Sequence, residues 1–170
     1  MQRGPSGLPE YFDPARLADE GAHLEGDIPV GQLPRLAAMC ARPEGSAHVA
    51  MDFERSTDGV RLMRLHGQAR GVFQCGRCLG DVTVAWRADS LLVIHRSADG
   101  ERAADGDTDI LIADGPVLLR SVVEDELLLT VPMFPAHSHS CGATDAHRDG
   151  ESPAARGPFA TLARLKKGRR

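Results

Sequence analysis

The stretch Phe73-Gln74-Cys75-Gly76-Arg77-Cys78-Leu79 decides how the middle of this chain folds. Residues on both sides of it alternate between apolar and polar, so the stretch is predicted to form the tip of a β-hairpin. A Cys-x-x-Cys pair at such a tip points both thiolates into one pocket and leaves backbone amides to donate to sulfur. The sequence therefore predicts a metal-type cysteine pair between two strands.

The strands predicted around this tip form an antiparallel meander. In the first of them, Val49, Met51 and Phe53 share one apolar face, and a turn at 57–59 follows it. We expect His66-Gly67 to break or bend the chain between the second and third strands. The predicted strands cover residues 47–54, 60–65, 68–75, 82–94 and 109–112. Consecutive strands joined by short turns favour antiparallel pairing.

Helices are predicted on both sides of the strands. Asp13-Pro14 is typical of a helix start and predicts a short helix over 14–20, with an extended strand as the alternative. A turn is predicted at 26–29 and a short helix at 33–40. The longest helix is expected to begin at Asp114-Gly115-Pro116, with Asp114 as its cap, and to end at Pro132. A last helix is expected from Gly157 into the basic end of the chain.

The predicted fold class is α+β, with an antiparallel meander of about four to five strands packed by a central Leu-rich helix. A short C-terminal helix completes it. With 170 residues, of which 42% are hydrophobic, we expect a single domain over 1–170 with mobile loops near 97–108 and 140–157. No apolar run approaches the roughly 20 residues that cross a bilayer. The polar first residues lack a secretory signal, so we expect a cytoplasmic protein with no membrane partner and with cysteines kept as thiols or metal ligands.

Charge is distributed unevenly along the chain. The net charge is -4, and acidic residues dominate the segment 99–126. The last seven residues contain no acid and carry five cations, namely Arg164, Lys166, Lys167, Arg169 and Arg170. Such a tail favours an anionic partner, and a solvated terminus is the alternative interpretation.

A second group of metal-type residues follows the central helix. Cys141 has His137 and His139 just before it. Together with Cys75 and Cys78, Cys141 and His137 would complete a Cys₃His set for a structural Zn²⁺, with His139 as the alternative ligand. Such an ion would pin the segment 133–157 to the hairpin tip, and a hairpin of reduced thiols with an unliganded Cys141 is the alternative. A thioredoxin-like role is disfavoured, because that motif belongs at a helix N-terminus.

Signatures of enzymes and of RNA-binding sheets are missing. The chain has no Gly-x-Ser-x-Gly, Walker or Gly-x-Gly-x-x-Gly motif. Phe73 and Trp86 are too isolated to form the aromatic platform of an RNA-binding sheet. The three acids Glu124-Asp125-Glu126 cannot all face one side of a helix, so we expect at least one of them to have a hydrogen-bonding role.

Three segments together resemble one family. The hairpin 73–79 is similar to its Cys-x-Arg-Cys hairpin, and 122–132 with Pro135, His137 and Cys141 is similar to its Glu-Asp-Glu stretch. Residues 157–166 are similar to its C-terminal signature, although Gly157 stands where Asn is usual. The chain thus resembles the YceD family, the large-ribosomal-subunit RNA accumulation proteins of bacteria and plastids. The family-typical positions are Cys75, Arg77, Cys78, Glu124, Glu126, Pro132, His137, Cys141, Pro158, Phe159, Leu162, Leu165 and Lys166.

The resemblance implies a non-enzymatic role in the synthesis, processing or stability of 23S rRNA. Its expected partners are rRNA or a large-subunit precursor, reached by the basic tail, and a ribosomal protein, with no small-molecule substrate. Two alternatives remain open. One is a metal-dependent RNA-processing hydrolase that uses the acids at 105–109, and the other is an adaptor for a ribosomal protein whose Leu-rich helix is exposed until the partner covers it.

Overall fold

The computed structural model of the chain describes residues 7–97 and 109–141. The residues up to Ser138 belong to one compact unit, and a second unit begins at His139. Most of the second unit lies outside the described residues, so the expectation of a single domain over 1–170 stays a prediction. The predicted C-terminal helix and nearly all of both predicted loops also lie outside them. No helix in the described ranges has the length and apolarity to span a bilayer.

The fold is α+β, as predicted. In chain order its elements are β1 (Tyr11–Phe12), α1 (Pro14–Glu20), β2 (His23–Pro29), a 3₁₀ turn (Val30–Gln32), α2 (Pro34–Met39), β3 (Arg42–Arg55), β4 (Arg61–Gln74), β5 (Asp81–His95), β6 (Asp109–Ile112), β7 (Val117–Leu118) and α3 (Leu119–Thr130). Five strands form one sheet in the order β2-β3-β4-β5-β6, and β1 pairs with β7. The first four strands of the sheet are antiparallel, as expected from the short turns, whereas β6 runs parallel to β5.

The expected break at His66-Gly67 is wrong, because β4 runs through it without interruption. Gly67 pairs with Val49 on one side and Ala88 on the other. A Cβ atom at this position would lie 3.1 Å from the Leu127 Cδ2 atom of α3. The glycine therefore makes room for a helix packed on the sheet and does not end a strand.

The turn expected at 26–29 is also wrong, because these residues are the end of edge strand β2. Ile28 pairs with Ala47 of β3, and both side chains are buried. Burial of Ile28 holds the segment extended against the turn preference of its Gly, Asp and Pro. The proline is tolerated there because Pro29 is the last residue of an edge strand.

Two short helices form where they were predicted. The Asp13 carboxylate accepts a hydrogen bond from the Arg16 amide at 3.1 Å and caps α1, and Gly21 ends the helix with a left-handed φ of 61°. Helix α2 begins at Pro34 after Leu33, whose side chain offers no cap.

The central helix begins later than predicted. Asp114 does not cap α3, which starts at Leu119. The Asp114 carboxylate instead accepts a hydrogen bond from the Ser97 amide at 2.9 Å. Between them, Val117 and Leu118 are drawn into pairing with β1. Asp114, which was expected to cap the helix, therefore connects two loops through its hydrogen bond with Ser97 and does not start α3.

Helix α3 packs on the inward face of the sheet. Val123 and Leu127 are fully buried, and they meet a strand face that contains Leu65 and Ala88. The Trp86 Nε1 of β5 donates to the backbone carbonyl of Leu127 at 3.3 Å. This bond satisfies an indole donor in the core and fixes the C-terminal half of α3 against β5.

A buried carboxylate on α3 caps another helix. The Glu124 side chain, 3% exposed, accepts hydrogen bonds from the amides of Arg35 at 2.7 Å and Leu36 at 3.0 Å. The Arg35 Nε adds a third bond at 3.0 Å. These amides belong to the uncapped first turn of α2, so a residue from a distant helix satisfies them. The expected hydrogen-bonding role within Glu124-Asp125-Glu126 is confirmed.

The outward face of the sheet is polar and carries a network of histidines and carboxylates. His23 lies 2.6 Å from Asp52 and 3.5 Å from Glu25. His48 lies 3.1 Å from both Glu25 and Asp27. Hydrogen bonds that the ring donates to Asp52, and then to Glu25, raise the pKa of His23 above its usual value. The protonated ring is therefore favoured on the folded sheet.

We expect Glu124→Gln to lower the free energy of unfolding by about 2 kcal/mol, because two buried amides lose a charged acceptor. Asp125→Asn is the matched control: its carboxylate contacts the same Arg35 at 2.6 Å but is exposed, so a loss under about 0.5 kcal/mol is expected. Urea unfolding, in variants whose m value is unchanged, measures both losses of unfolding free energy. Equal losses in the two variants would contradict the capping role.

The stabilisation from His23 is expected to depend on pH. Since its pKa is raised in the folded state, the contribution is complete below the unfolded pKa of about 6.5 and is lost as the pH rises through the folded pKa. The melting temperature of His23→Gln should fall further below that of the parent chain at about pH 5.5 than at about pH 8.5. A gap that did not change between these two conditions would refute the assignment.

Candidate metal centre

The Cys-x-x-Cys sequence lies at the tip between β4 and β5, as the alternation of the flanking residues predicts. The Cys75 amide donates to the Gly80 carbonyl at 2.8 Å, and the Leu79 amide donates to the Cys75 carbonyl at 3.0 Å. Leu79 has a φ of 61°, a conformation that costs a bulky residue on the order of 1–2 kcal/mol. This left-handed residue closes the turn directly after Cys78.

The turn supplies a donor to sulfur. The Arg77 amide points at the Cys75 Sγ with a separation of 3.5 Å, and Cys75 is buried whereas Cys78 is exposed. Amide donation to sulfur stabilises a thiolate, which is the form that binds metal. The tip is not the N-terminus of a helix, so it lacks the geometry of a thioredoxin-type redox site.

The segment after α3 is bound to this tip through backbone groups. The Gly76 amide donates to the Pro135 carbonyl at 2.8 Å. The Arg77 guanidinium donates to the backbone carbonyl of His137. Two consecutive residues of the tip therefore hold the segment that carries the imidazole.

The hydrogen bonds of His137 assign its tautomer. Its Nε2 lies 3.0 Å from the backbone carbonyl of Asp81, and because a carbonyl only accepts, Nε2 carries the proton. In the neutral ring Nδ1 is then the unprotonated atom, and it lies 3.5 Å from the Cys78 Sγ. A histidine that donates one N–H to a backbone carbonyl and turns the other nitrogen to a thiolate has the arrangement common to metal-bound histidines.

The distance between these two atoms fits a tetrahedral zinc ion. Zinc lies about 2.3 Å from sulfur and about 2.0–2.1 Å from nitrogen, so two such ligands at a tetrahedral angle lie about 3.5 Å apart. The Cys78 Sγ and His137 Nδ1 are separated by this distance. A hydrogen bond between thiol and imidazole would account for the pair alone but not for further thiols beside it.

Four side chains form the candidate centre. One ligand atom from each lies within 4.8 Å of the others, and the set consists of Cys75, Cys78, His137 and Cys141. Three sulfurs and one imidazole nitrogen are a donor set that suits a structural zinc ion. Nowhere else in 7–97 and 109–141 do three or more His, Cys, Asp or Glu side chains have an arrangement that could hold a metal.

The structure brings together the four residues that the sequence predicts as ligands. His139, the predicted alternative to His137, is not in the set that the described residues form. The identity of the ion stays a prediction. The five basic residues predicted to contact nucleic acid, Arg164 to Arg170, lie outside the described residues.

Two parts of the centre were not predicted. Arg77 is typical of the family but has no predicted role, and Asp81 is not among the predicted site residues. Arg77 contacts the His137 carbonyl, and the Asp81 carbonyl orients the imidazole. Both contacts use backbone oxygens, which every residue type has, so no residue pattern could have indicated them.

The cysteine outside the centre is Cys40. It is partly buried, and desolvation raises the pKa of its thiol. A Cβ atom on Gly71 of β4 would lie 3.4 Å from its Sγ, so the thiol packs against the sheet. Cys40 is therefore a control cysteine for the centre.

Comparison with known proteins supports one family. A sequence model of the family described as large ribosomal RNA subunit accumulation protein YceD matches residues 63–166, which is 104 of the 170 residues. The matched region contains the hairpin tip, α3 and all four residues of the candidate centre. No solved structure matches the chain.

We expect the purified chain to contain one equivalent of zinc, because the four ligands complete a tetrahedral set. Cys78→Ser should lose most of the metal, whereas Cys40→Ser should keep it. Elemental analysis of protein purified under reducing conditions, without added metal, measures both. A parent chain that binds no zinc after reduction and zinc titration would refute the centre.

Proposed function

Because this chain belongs to the family of large ribosomal RNA subunit accumulation proteins YceD, we propose that it supports the synthesis, processing or stability of 23S rRNA in the large ribosomal subunit. We propose further that it does so in the cytoplasm without catalysing a reaction. The family match over 63–166 carries this proposal.

The donor set of the candidate centre supports a structural role for an ion bound there. Four protein ligands would fill the tetrahedral shell of zinc and would leave no position for water or substrate, which catalytic zinc requires. Cys78 on the hairpin and His137 after α3 are distant in sequence, so an ion between them closes a long loop and stabilises the folded state. In the proposed function, zinc holds the hairpin tip and the segment after α3 in one arrangement.

The proposed partners are an rRNA or large-subunit precursor and a ribosomal protein. We retain the basic tail, Arg164, Lys166, Lys167, Arg169 and Arg170, as a proposed contact to rRNA phosphates. The acidic segment that precedes α3 would face a basic ribosomal protein. Both proposals follow from charge alone, since these residues lie largely outside the described ranges.

A protein adaptor is a second candidate, and exposed apolar side chains favour it. Leu79 at the hairpin tip is 67% exposed, and Met133 and Phe134 after α3 are 86% and 82% exposed. The Gly76–Pro135 hydrogen bond holds the tip and this segment together. In the Leu-rich helix α3, Val123 and Leu127 pack on the sheet, whereas Leu129 is 76% exposed. The alternative of a hydrolase gains no comparable support, since Asp105 and Asp107 lie outside the described residues.

Depletion of the protein is expected to lower the ratio of 23S to 16S rRNA, measured by quantitative electrophoresis of total RNA. Re-expression of the parent chain or of Cys40→Ser should restore the ratio. Cys78→Ser should restore the ratio poorly, because the candidate metal centre at the hairpin tip loses one of its ligands. An unchanged ratio after depletion would contradict the proposed function.

Pull-down with and without RNase separates the candidates, since an adaptor keeps its protein partner after RNase treatment.

A further inference from the structure

A groove crosses the outward face of the sheet at its centre. It has a volume of about 480 Å³ and is lined by residues of three neighbouring strands, which are Ser46, His48, Gln68, Ala69, Arg70, Ala85, Trp86 and Arg87. The side chains of Ala69 and Trp86 are buried, so the outward side chains of the groove are those of the other six residues. Strand register explains its shape. Arg70 lies between Ser46 on β3 and Ala85 on β5, so two small residues leave space on both sides of a long cation.

Two arginines face each other diagonally across this groove. Arg87 pairs with Gln68, and Arg70 is the next outward residue along β4. Diagonal neighbours on one sheet face lie about 7–8 Å apart, within reach of long side chains. Both arginines are exposed, and neither is within ion-pair distance of a carboxylate among the described residues. The groove thus presents two guanidinium groups with donors available for a ligand.

The carboxylates that flank the groove are paired with imidazoles or with another arginine, and one of these imidazoles, that of His48, itself lines the groove and also contacts Glu25 at 3.1 Å. Asp27 contacts His48 at 3.1 Å, and Asp89, the next outward residue after Arg87, contacts His66 at 2.6 Å. Asp81 pairs with Arg42 at 3.0 Å. The nearby acids are therefore held by other cations or imidazoles, and the outward side chains that line the groove include no acid.

From this arrangement we propose that the groove binds the phosphodiester backbone of single-stranded RNA through Arg70 and Arg87. That the ligand is RNA rests on the proposed function. That its phosphodiester backbone is the part bound rests on the two arginines of the groove. Guanidinium groups bind phosphate oxygens in a bidentate manner, and Gln68 and Ser46 supply neutral donors beside them.

The groove is unsuited to reading bases. The aromatic residues of these strands face inward: Trp86 is 7% exposed and its Nε1 donates to Leu127, while Phe73 packs edge-on against it with ring centroids 5.4 Å apart. Bases in RNA-binding sheets stack on outward aromatic rings, which these outward positions do not provide. Binding should therefore depend on salt and only weakly on base sequence.

The test compares two double variants of the full chain that remove the same charge. In Arg70→Gln/Arg87→Gln the groove cations are lost, and in Arg16→Gln/Arg55→Gln two exposed arginines paired with Glu20 and Asp19 are lost. Fluorescence anisotropy with labelled oligouridylate measures affinity over a range of salt. Two phosphate contacts contribute a slope of about 1.4 in log K against log salt, or roughly tenfold in affinity at physiological salt.

The groove variant should therefore bind oligouridylate roughly tenfold more weakly with a slope reduced by about 1.4, whereas the control variant should bind like the parent chain. Circular dichroism confirms that both variants are folded. Equal affinity of the groove variant and the parent chain would overturn the proposal, as would a parent chain that binds no RNA. Competition by polyglutamate as effective as that by unlabelled RNA would overturn it in favour of an acidic protein ligand.

This experiment is independent of the depletion assay. If depletion leaves the ratio of 23S to 16S rRNA unchanged but the groove variant loses RNA affinity, the proposed function fails and the groove stands. If depletion lowers the ratio but the groove variant binds RNA like the parent chain, the groove fails and the proposed function stands.

Discussion

The placement of helix α3 depends on one buried carboxylate. A charge as deeply buried as that of Glu124 is tolerated only when hydrogen bonds replace its water, and the first turn of α2 supplies two amides for that purpose. The first turn of α2 needs Glu124 in the same way, since Leu33 gives its amides no side-chain cap. Neither helix can therefore move away from the other without leaving buried polar groups unpaired. Protein groups alone therefore fix helix α3 at this point, without a contribution from a metal ion.

The candidate metal centre takes its geometry from this helix and from the sheet together. Trp86 binds the C-terminal half of α3, and Gly67 allows Leu127 to approach β4 closely. The segment that follows α3 then reaches the hairpin tip, where the Gly76 amide donates a hydrogen bond to the Pro135 carbonyl. Since His137 is oriented by the Asp81 carbonyl at the start of β5, the imidazole is held by the same strand that follows Cys78. An ion would thus bind ligands that the protein has already oriented, which lowers the entropic cost of binding.

Local patterns predicted the strands and short helices well, because alternation and caps act over a few residues. Val49, Met51 and Phe53 are buried as their spacing indicates, and Asp13 caps α1. The errors arose where a distant element changed the meaning of a local signal. Gly67 is a contact point for α3 and not a strand break, and Asp114 binds Ser97 and not a helix start. The cluster of Cys75, Cys78, His137 and Cys141 was predictable from Cys and His spacing, with His139 as an alternative, whereas the groove required the register between strands.

The two faces of the sheet separate the metal centre from the groove. Arg70 and Cys75 lie on or just beyond the same strand, yet Cys75 is buried on the inward side and Arg70 is exposed on the other. The positions of the groove arginines are set by the register of β4 and β5, which pair continuously from Leu62–Val93 to Gln74–Asp81. The metal ligands instead depend on a turn and on a segment outside the sheet. Loss of an ion bound by these four side chains would consequently loosen the tip and the segment after α3, while the spacing of Arg70 and Arg87 would be preserved.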